Sequence, residues 1–244
     1  AYTLQKFQIE NFSPERIIVG GLGVENHAEF VSLVESHFRN IKYGTGLRPI
    51  AKQEFREGEI RIADSSTHKN EALLLFESVG ADSKDFVLAA LAREYFGQAD
   101  VSNPNCHASN NGVFVTDLYS REKSLYAAEA FNFNFKETGV FGLRLTSSGD
   151  GANKSIEALS NHLKTLDRLT ESALLQAKKR LKRRIIEGTE NDFQRINELL
   201  SHQSVFGEDR LKPMTDQIDK VSAKDFIAFV RRTVSGKAAA VIQG

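Results

Sequence analysis

Side chains able to hold a metal or act as a nucleophile are few in this 244-residue sequence, and they are scattered. There are six histidines, His27, His37, His68, His107, His162 and His202, and one cysteine, Cys106. A helix places residues i and i+4 on one face, where two imidazoles can share a zinc ion while a glutamate activates water. No two histidines stand at that spacing. The nearest string, His68-Lys69-Asn70-Glu71-Ala72, lacks a second histidine and leads into a run of strand character, where the geometry would be wrong. Cys106 beside His107 lies in a polar stretch and reads as a lone exposed thiol. One cysteine excludes an internal disulfide and a structural zinc built on several thiolates, and a reducing compartment fits. The sequence nominates no catalytic, metal-binding or cofactor-binding residue.

The densest chemical signal is cationic. Lys178 to Arg184 reads KKRLKRR, six basic residues around Leu181, flanking a stripe of Leu174, Leu181 and Ile185. Two readings stand: a solvated helix face, or a contact to acidic partner segments or cardiolipin headgroups through Lys179, Arg183 and Arg184. Nucleic acid is disfavoured, because Lys plus Arg and Asp plus Glu balance at 32 each and no aromatic residues interleave with the run.

The elements that must position these groups are legible from periodicity. LYAAEAFNFNFKETGVFGLRLTS, Leu125 to Ser147, reads as a hairpin: Phe131, Phe133 and Phe135 alternate, Lys136 to Gly139 turn, and Phe141, Leu143 and Leu145 resume. The expectation is that the three phenylalanines form the seam on which helices pack, each worth about 2 to 3 kcal/mol when buried. Earlier in the chain, Thr3 to Phe12 reads as a helix with Leu4, Phe7 and Phe12 inward, Arg16 to Gly20 as a buried strand, and His27 to Phe38 as a helix. Asn26 caps that helix with Glu29 behind it, and Phe30, Val31, Val34 and Phe38 form its stripe. Arg39 to Glu57 has no sustained period and reads as a linker.

A second unit follows, with strands GEIRIADS and EALLLFESV and a helix capped by Asp82 and stopped by Gly97. Gln98 to Gly112 reads as a polar loop and Val113 to Arg121 as a short helix. After the hairpin come three amphipathic stretches carrying Ile156, Leu159, Leu163 and Leu166; Leu174, Leu175, Leu181 and Ile185; and Phe193, Ile196, Leu200 and Val205. A final helix begins at Ser222 with Asp225 at its third position, and the strand AAAVI closes the chain. At this length about 70% of the unfolded surface can be buried, and no apolar run approaches the ~18 residues of a membrane-spanning helix. An opening at Ala1 fits a processed mature form.

The two ends resemble each other: LQKFQIENF, a short turn and RIIVGG at the start; DFIAFVRRTV, SGK and AAAVIQG at the finish. The opening thus reads as the tail of an earlier copy of the domain that the rest of the chain completes. The segments FSPERIIVGGLGVENHAEFVSLVESHF, GEIRI, AFNFNFKETGVFGL and QIDKVSAKDFIAFVRRTVSG resemble the pitrilysin-like (insulinase) metallopeptidase superfamily. Within it, they are most similar to the core protein 2 family of mitochondrial ubiquinol:cytochrome c reductase, respiratory complex III, and next to the alpha-type subunits of the mitochondrial processing peptidase.

The resemblance implies an α/β fold of the α+β type: a mixed, largely antiparallel sheet covered by helices, preceded by the tail of a homologous domain. Residues 1–45 would be that tail, 46–57 the linker and 58–244 the second pitrilysin-like domain. Superfamily peptidases carry His-x-x-Glu-His on a helix, which this sequence lacks, so a non-catalytic subunit with no cofactor is implied. The alpha-type loop is glycine-rich, whereas GQADVSNPNCHASNNG is not, which favours the core protein family. The expectation is a scaffold on the matrix side of the mitochondrial inner membrane, the C-terminal part of a split subunit. Its implied partners are a chain carrying the first domain, met through Phe7, Phe30, Val31 and Val34; core protein 1 or a beta-type peptidase subunit; and cytochrome b, cytochrome c1 and the Rieske subunit. The alternative is an alpha-type processing-peptidase subunit assisting a zinc-bearing partner.

Overall fold

The computed structural model describes residues 2–41, 53–63, 68–100, 112–166, 169–207 and 211–244. Most of the expected linker, and the loop residues 101–111 that include Cys106 and His107, lie outside the described residues. The chain forms two compact units: residues 1–52 with 187–209, and residues 53–186 with 210–244.

In the first unit, α1 (Tyr2–Asn11) and α2 (His27–Phe38) flank a 3-10 turn at Pro14–Arg16. Asn26 caps α2 as its sequence position indicates: the side-chain oxygen accepts from the backbone N–H groups of Ala28 and Glu29 at 3.0 and 3.3 Å. The expected strand at Arg16–Gly20 does not form. Ile17 is extended (φ −109°, ψ 128°), but no strand pairs with it, and Ile18 and Val19 remain exposed. The segment lies instead against α7 (Asp192–Phe206), a helix capped by Asn191. A Cβ added at Gly20 would sit 2.8 Å from Leu200 and one at Gly21 would meet the Phe30 ring at 3.2 Å, so the two glycines let the backbone lie close to both. The expected inward face of α1 is outward: Leu4, Phe7 and Phe12 are all exposed, and α1, α2 and α7 contain no fully buried residue.

The second unit is a six-stranded sheet with helices on one face. Its strands are β1 (Gly58–Ile62), β2 (Lys69–Val79), β3 (Gln98–Asp100), β4 (Leu125–Asn134), β5 (Thr138–Ser148) and β6 (Ala238–Gln243), in spatial order β1-β6-β2-β5-β4-β3. Among the described residues only the β1–β6 pair is parallel. This is the mixed, largely antiparallel sheet the sequence implies. β2 is central, as its near-continuous apolar run suggests. The first three residues of the expected polar loop form β3, pairing Ala99 with Ala128.

Helices α3 (Phe86–Phe96), α4 (Val113–Arg121), α5 (Ala152–Leu163), α6 (Glu171–Glu190), α8 (Leu211–Lys220) and α9 (Ala223–Val234) complete the unit, with α6 running across the boundary at Ile186. Ser222 caps α9, accepting from the Asp225 N–H at 3.1 Å. Asp82 does not cap α3; the helix starts after Asp85, whose N–H donates to the Ser83 hydroxyl at 3.1 Å. The Asp82 N–H donates to the Lys136 carbonyl and that of Ala81 to the Phe135 carbonyl, tying the β2–α3 connection to the hairpin turn. Gly97, at φ +77°, ends α3 as expected, since a side chain there would be strained. Helix α8 was not anticipated: its buried Ile218 and half-buried Met214 are four apart, but Pro213 obscures the period.

The hairpin forms, with its faces reversed from expectation. Phe133 is 59% and Phe135 56% exposed, whereas Phe141, Leu143 and Leu145 are buried. Register shows why: Ala130 pairs with Leu143 and Ala128 with Leu145, so β4 gives the core its alanines and turns Phe131 and Phe133 away. Small residues on β4 leave room for α3 and its large rings. The Phe96 ring centroid lies 4.4 Å from that of Phe114 and 5.1 Å from that of Phe141, and Phe76 stacks on Phe141 at 6.4 Å. We expect Phe141→Ala to cost about 3–5 kcal/mol and Phe133→Ala under about 1 kcal/mol. Equilibrium urea unfolding checks the contrast, and equal costs would mean that β4 presents its other face.

Candidate interaction surfaces

The scattered histidines stay apart. Among the described residues no group of three or more His, Cys, Asp and Glu side chains is placed to hold a metal ion. Glu71, from the nearest motif-like string, lies on β2 and accepts both oxygens' bonds from Arg144 Nη2 at 2.8 and 2.9 Å. His202 is tucked beside Glu198 and Phe206 on α7.

His162 is a packing residue. Its ring lies 4.1 Å from the Phe114 ring, and Nε2 is 3.1 Å from the Phe114 carbonyl. Burial pushes the imidazole below its ordinary value of 6.5, although Asp117, at 3.6 Å, and the Phe114 carbonyl pull the other way.

The basic run lies on α6, and the structure divides it. Lys178 Nζ donates to the Asp219 and Val221 carbonyls at 3.0 and 2.7 Å, sealing the end of α8, and Lys182 pairs with Asp219. Arg180 is buried, and its Nη2 donates to the Glu94 carbonyl at 3.0 Å in the last turn of α3. Arg184 Nη1 and Arg93 Nη1 each lie 3.0 Å from Glu94 Oε1. Glu94 is itself buried, and desolvation raises its pKa above 4.5 while Arg93, Arg180 and Arg183 act to lower it. Of the three candidate contacts, Lys179 and Arg183 are exposed, and Arg184 is engaged within the unit. The sequence shows the spacing of Arg180, Arg183 and Arg184 at i, i+3 and i+4, which shares one helix face. It does not show the buried carboxylate that draws Arg180 and Arg184 inward.

Among the described residues, each unit exposes a set of apolar side chains. In the first, Leu4 and Phe7 on α1 and Val31 and Leu33 on α2 are exposed, Phe7 at 58%, while Phe30, which packs near the Gly21 backbone, and Val34 are half-buried. The second was missed from sequence. On the sheet face away from the buried residues, register aligns Ile60 with Val241, Val241 with Leu73, and Leu75 with Gly142 and Phe131. Ile60, Ile62 and Phe133 there are exposed and Leu73, Leu75, Phe131 and Val241 half-buried. The signal in the sequence is that β2 is apolar on both faces, while β4 carries Phe131 and Phe133 on one face and Ala128 and Ala130 on the other. Such apolar area marks interaction surfaces rather than solvent-facing ones.

Comparison with known proteins gives these surfaces a context. The family described as the peptidase M16 inactive domain matches residues 1–181. Cytochrome b-c1 complex subunit 2, mitochondrial, of Rattus norvegicus is 26% identical over 99% of this chain and 53% of its own length. Mitochondrial-processing peptidase subunit alpha of Caenorhabditis elegans is 23% identical over 95% of this chain and 49% of its own length. The chain therefore spans about half the length of these curated relatives. A chain in a structure of complex III2 from Candida albicans with Inz-5 bound has the same fold, at a TM-score of 0.78 and 16% identity, over 90% of this chain and 52% of that one.

The sign of the His162 effect follows from its burial. A pKa below the unfolded value means that the unfolded chain binds the extra proton first, so stability is full above pH 6.5 and falls as the pH drops through the lowered folded value. We expect the difference in unfolding midpoint between the natural chain and His162→Gln to shrink or reverse on acidification from neutral to about pH 5. Thermal unfolding across that range checks it; a difference that grows on acidification would mean that the fold favours the imidazolium.

Proposed function

The chain belongs to the peptidase M16 inactive-domain family, and on that premise we propose that it is a non-catalytic core subunit, or part of one, of mitochondrial respiratory complex III. It is a homologue of complex III core protein 2 and, next, of the processing-peptidase alpha subunit. The observation that carries the proposal is the alignment of nearly the whole chain with a b-c1 subunit 2. The family's inactive character and the absence of paired histidine spacing support a role without peptide-bond chemistry.

In this reading the chain lies on the matrix side of the inner membrane. Its domains are those of the two-domain architecture: residues 1–45 end a first homologous domain, 46–57 link, and 58–244 form the second. Phe7, Phe30, Val31 and Val34 meet the body of the first domain. Core protein 1 or a beta-type subunit stands beside it, with cytochrome b, cytochrome c1 and the Rieske subunit as further members of the assembly. Burying such apolar side chains in a permanent interface yields about 25 cal/mol per Å², which is how a scaffold holds an assembly without catalysing anything.

A second reading, an alpha-type processing-peptidase subunit, has the support of the Caenorhabditis elegans relative. Affinity purification of the full chain from gently solubilised mitochondrial membranes, followed by mass spectrometry, separates the two. We expect haem-bearing complex III subunits to co-purify, and Val31→Glu to reduce their recovery several-fold without lowering the chain's own unfolding midpoint. A small soluble heterodimer with a His-x-x-Glu-His partner and no haem would replace the scaffold reading with the peptidase one.

A further inference from the structure

We propose that Arg93, Arg180 and Arg184 form a binding site for a phosphate-class oxyanion where the end of α3 meets α6. The inference stands on the second unit alone and does not depend on the assembly role. Three guanidinium groups reach one residue, Glu94: Arg93 and Arg184 through the same Oε1, and Arg180 through the main-chain carbonyl. One carboxylate cannot neutralise three cations. Each guanidinium carries five N–H donors in a fixed fork, and Arg93 and Arg184 converge on one oxygen of one carboxylate.

The second observation is more pointed. Arg180 Nε is buried and meets no acceptor among the described residues. A charged donor left unpaired in the interior is costly and calls for a missing partner. Arg180 is buried, whereas Arg93 is 26% and Arg184 49% exposed, so the two outer guanidinium groups of the cluster are open to an ion from solvent.

The surplus charge selects the ligand. A carboxylate brings one charge and two oxygens, whereas a phosphate brings up to two charges and three or more acceptor oxygens, enough for the two outer guanidinium groups and for Arg180 Nε. The same chemistry is presented by free phosphate and by the headgroup of an anionic phospholipid. Glu94 holds the arginines in place before the ligand arrives and is not itself a ligand.

Isothermal titration of the full chain with inorganic phosphate tests this, alongside sedimentation with phosphatidylcholine vesicles with and without phosphatidic acid. Arg93→Gln and Arg184→Gln change partly exposed groups, and their urea midpoints report whether the fold survives. We expect each to weaken phosphate binding about tenfold or more, a loss consistent with one charge-assisted contact. Binding of phosphate alone identifies the free ion as the source, and arginine-dependent binding of the phosphatidic acid vesicles identifies the lipid. The proposal is overturned if neither probe binds, if both variants bind like the natural chain, or if only a polyglutamate peptide binds.

Discussion

The second unit depends on the contact between Phe96 and Phe141. Phe96 ends α3 and Phe141 sits at the middle of β5; both are essentially fully buried, with ring centroids 5.1 Å apart. Around this pair gather Phe76 from β2, Phe114 from α4 and, through Tyr95, Phe226 from α9. One aromatic cluster therefore fixes three helices to two central strands, and offset or edge-to-face rings add about 0.5–1.5 kcal/mol per pair beyond their burial. Gly97 follows from the same constraint: the chain must turn immediately after Phe96 to lay β3 beside β4, and φ +77° makes that turn.

Charge is organised by the same geometry. Because α3 is held by its rings, its last turn has a fixed place against α6, and Glu94 becomes a buried anchor for basic residues that the sequence alone would leave in solvent. Lys178 and Lys182 perform the equivalent service for α8. The basic helix is thus an internal fastener with Lys179 and Arg183 exposed along its outer side. A neutral chain can in this way carry local positive potential without any global field.

Much of the architecture was legible in the residues: the caps at Asn26 and Ser222, the stop at Gly97 and the hairpin follow from local chemistry, and the sheet class from the family resemblance. What escaped was direction. Alternation at Phe131, Phe133 and Phe135 announces a strand with an apolar face, but β4 has a second face of Ala128 and Ala130, and the larger rings of α3 and α4 claim that one. Periodicity cannot decide between two non-polar faces; volume does. RIIVG failed as a strand for a related reason, since a strand exists only where a neighbour accepts its hydrogen bonds. The cationic run was visible in full, but the carboxylate that organises it lies 86 residues from Arg180, beyond the reach of any local pattern.

Strand order carries a consequence for how the protein reaches its fold. β6, at residues 238–243, lies between β1 and β2, strands from the early part of the second unit. As the polypeptide emerges from the ribosome, β2 can pair with β5 but has an open edge on its other side until β6 is free. Among the described residues β1 is hydrogen-bonded to β6 alone, so it waits for the same strand. The sheet closes when β6 enters the slot between β1 and β2, so an edge of β2 stays open until that strand is available.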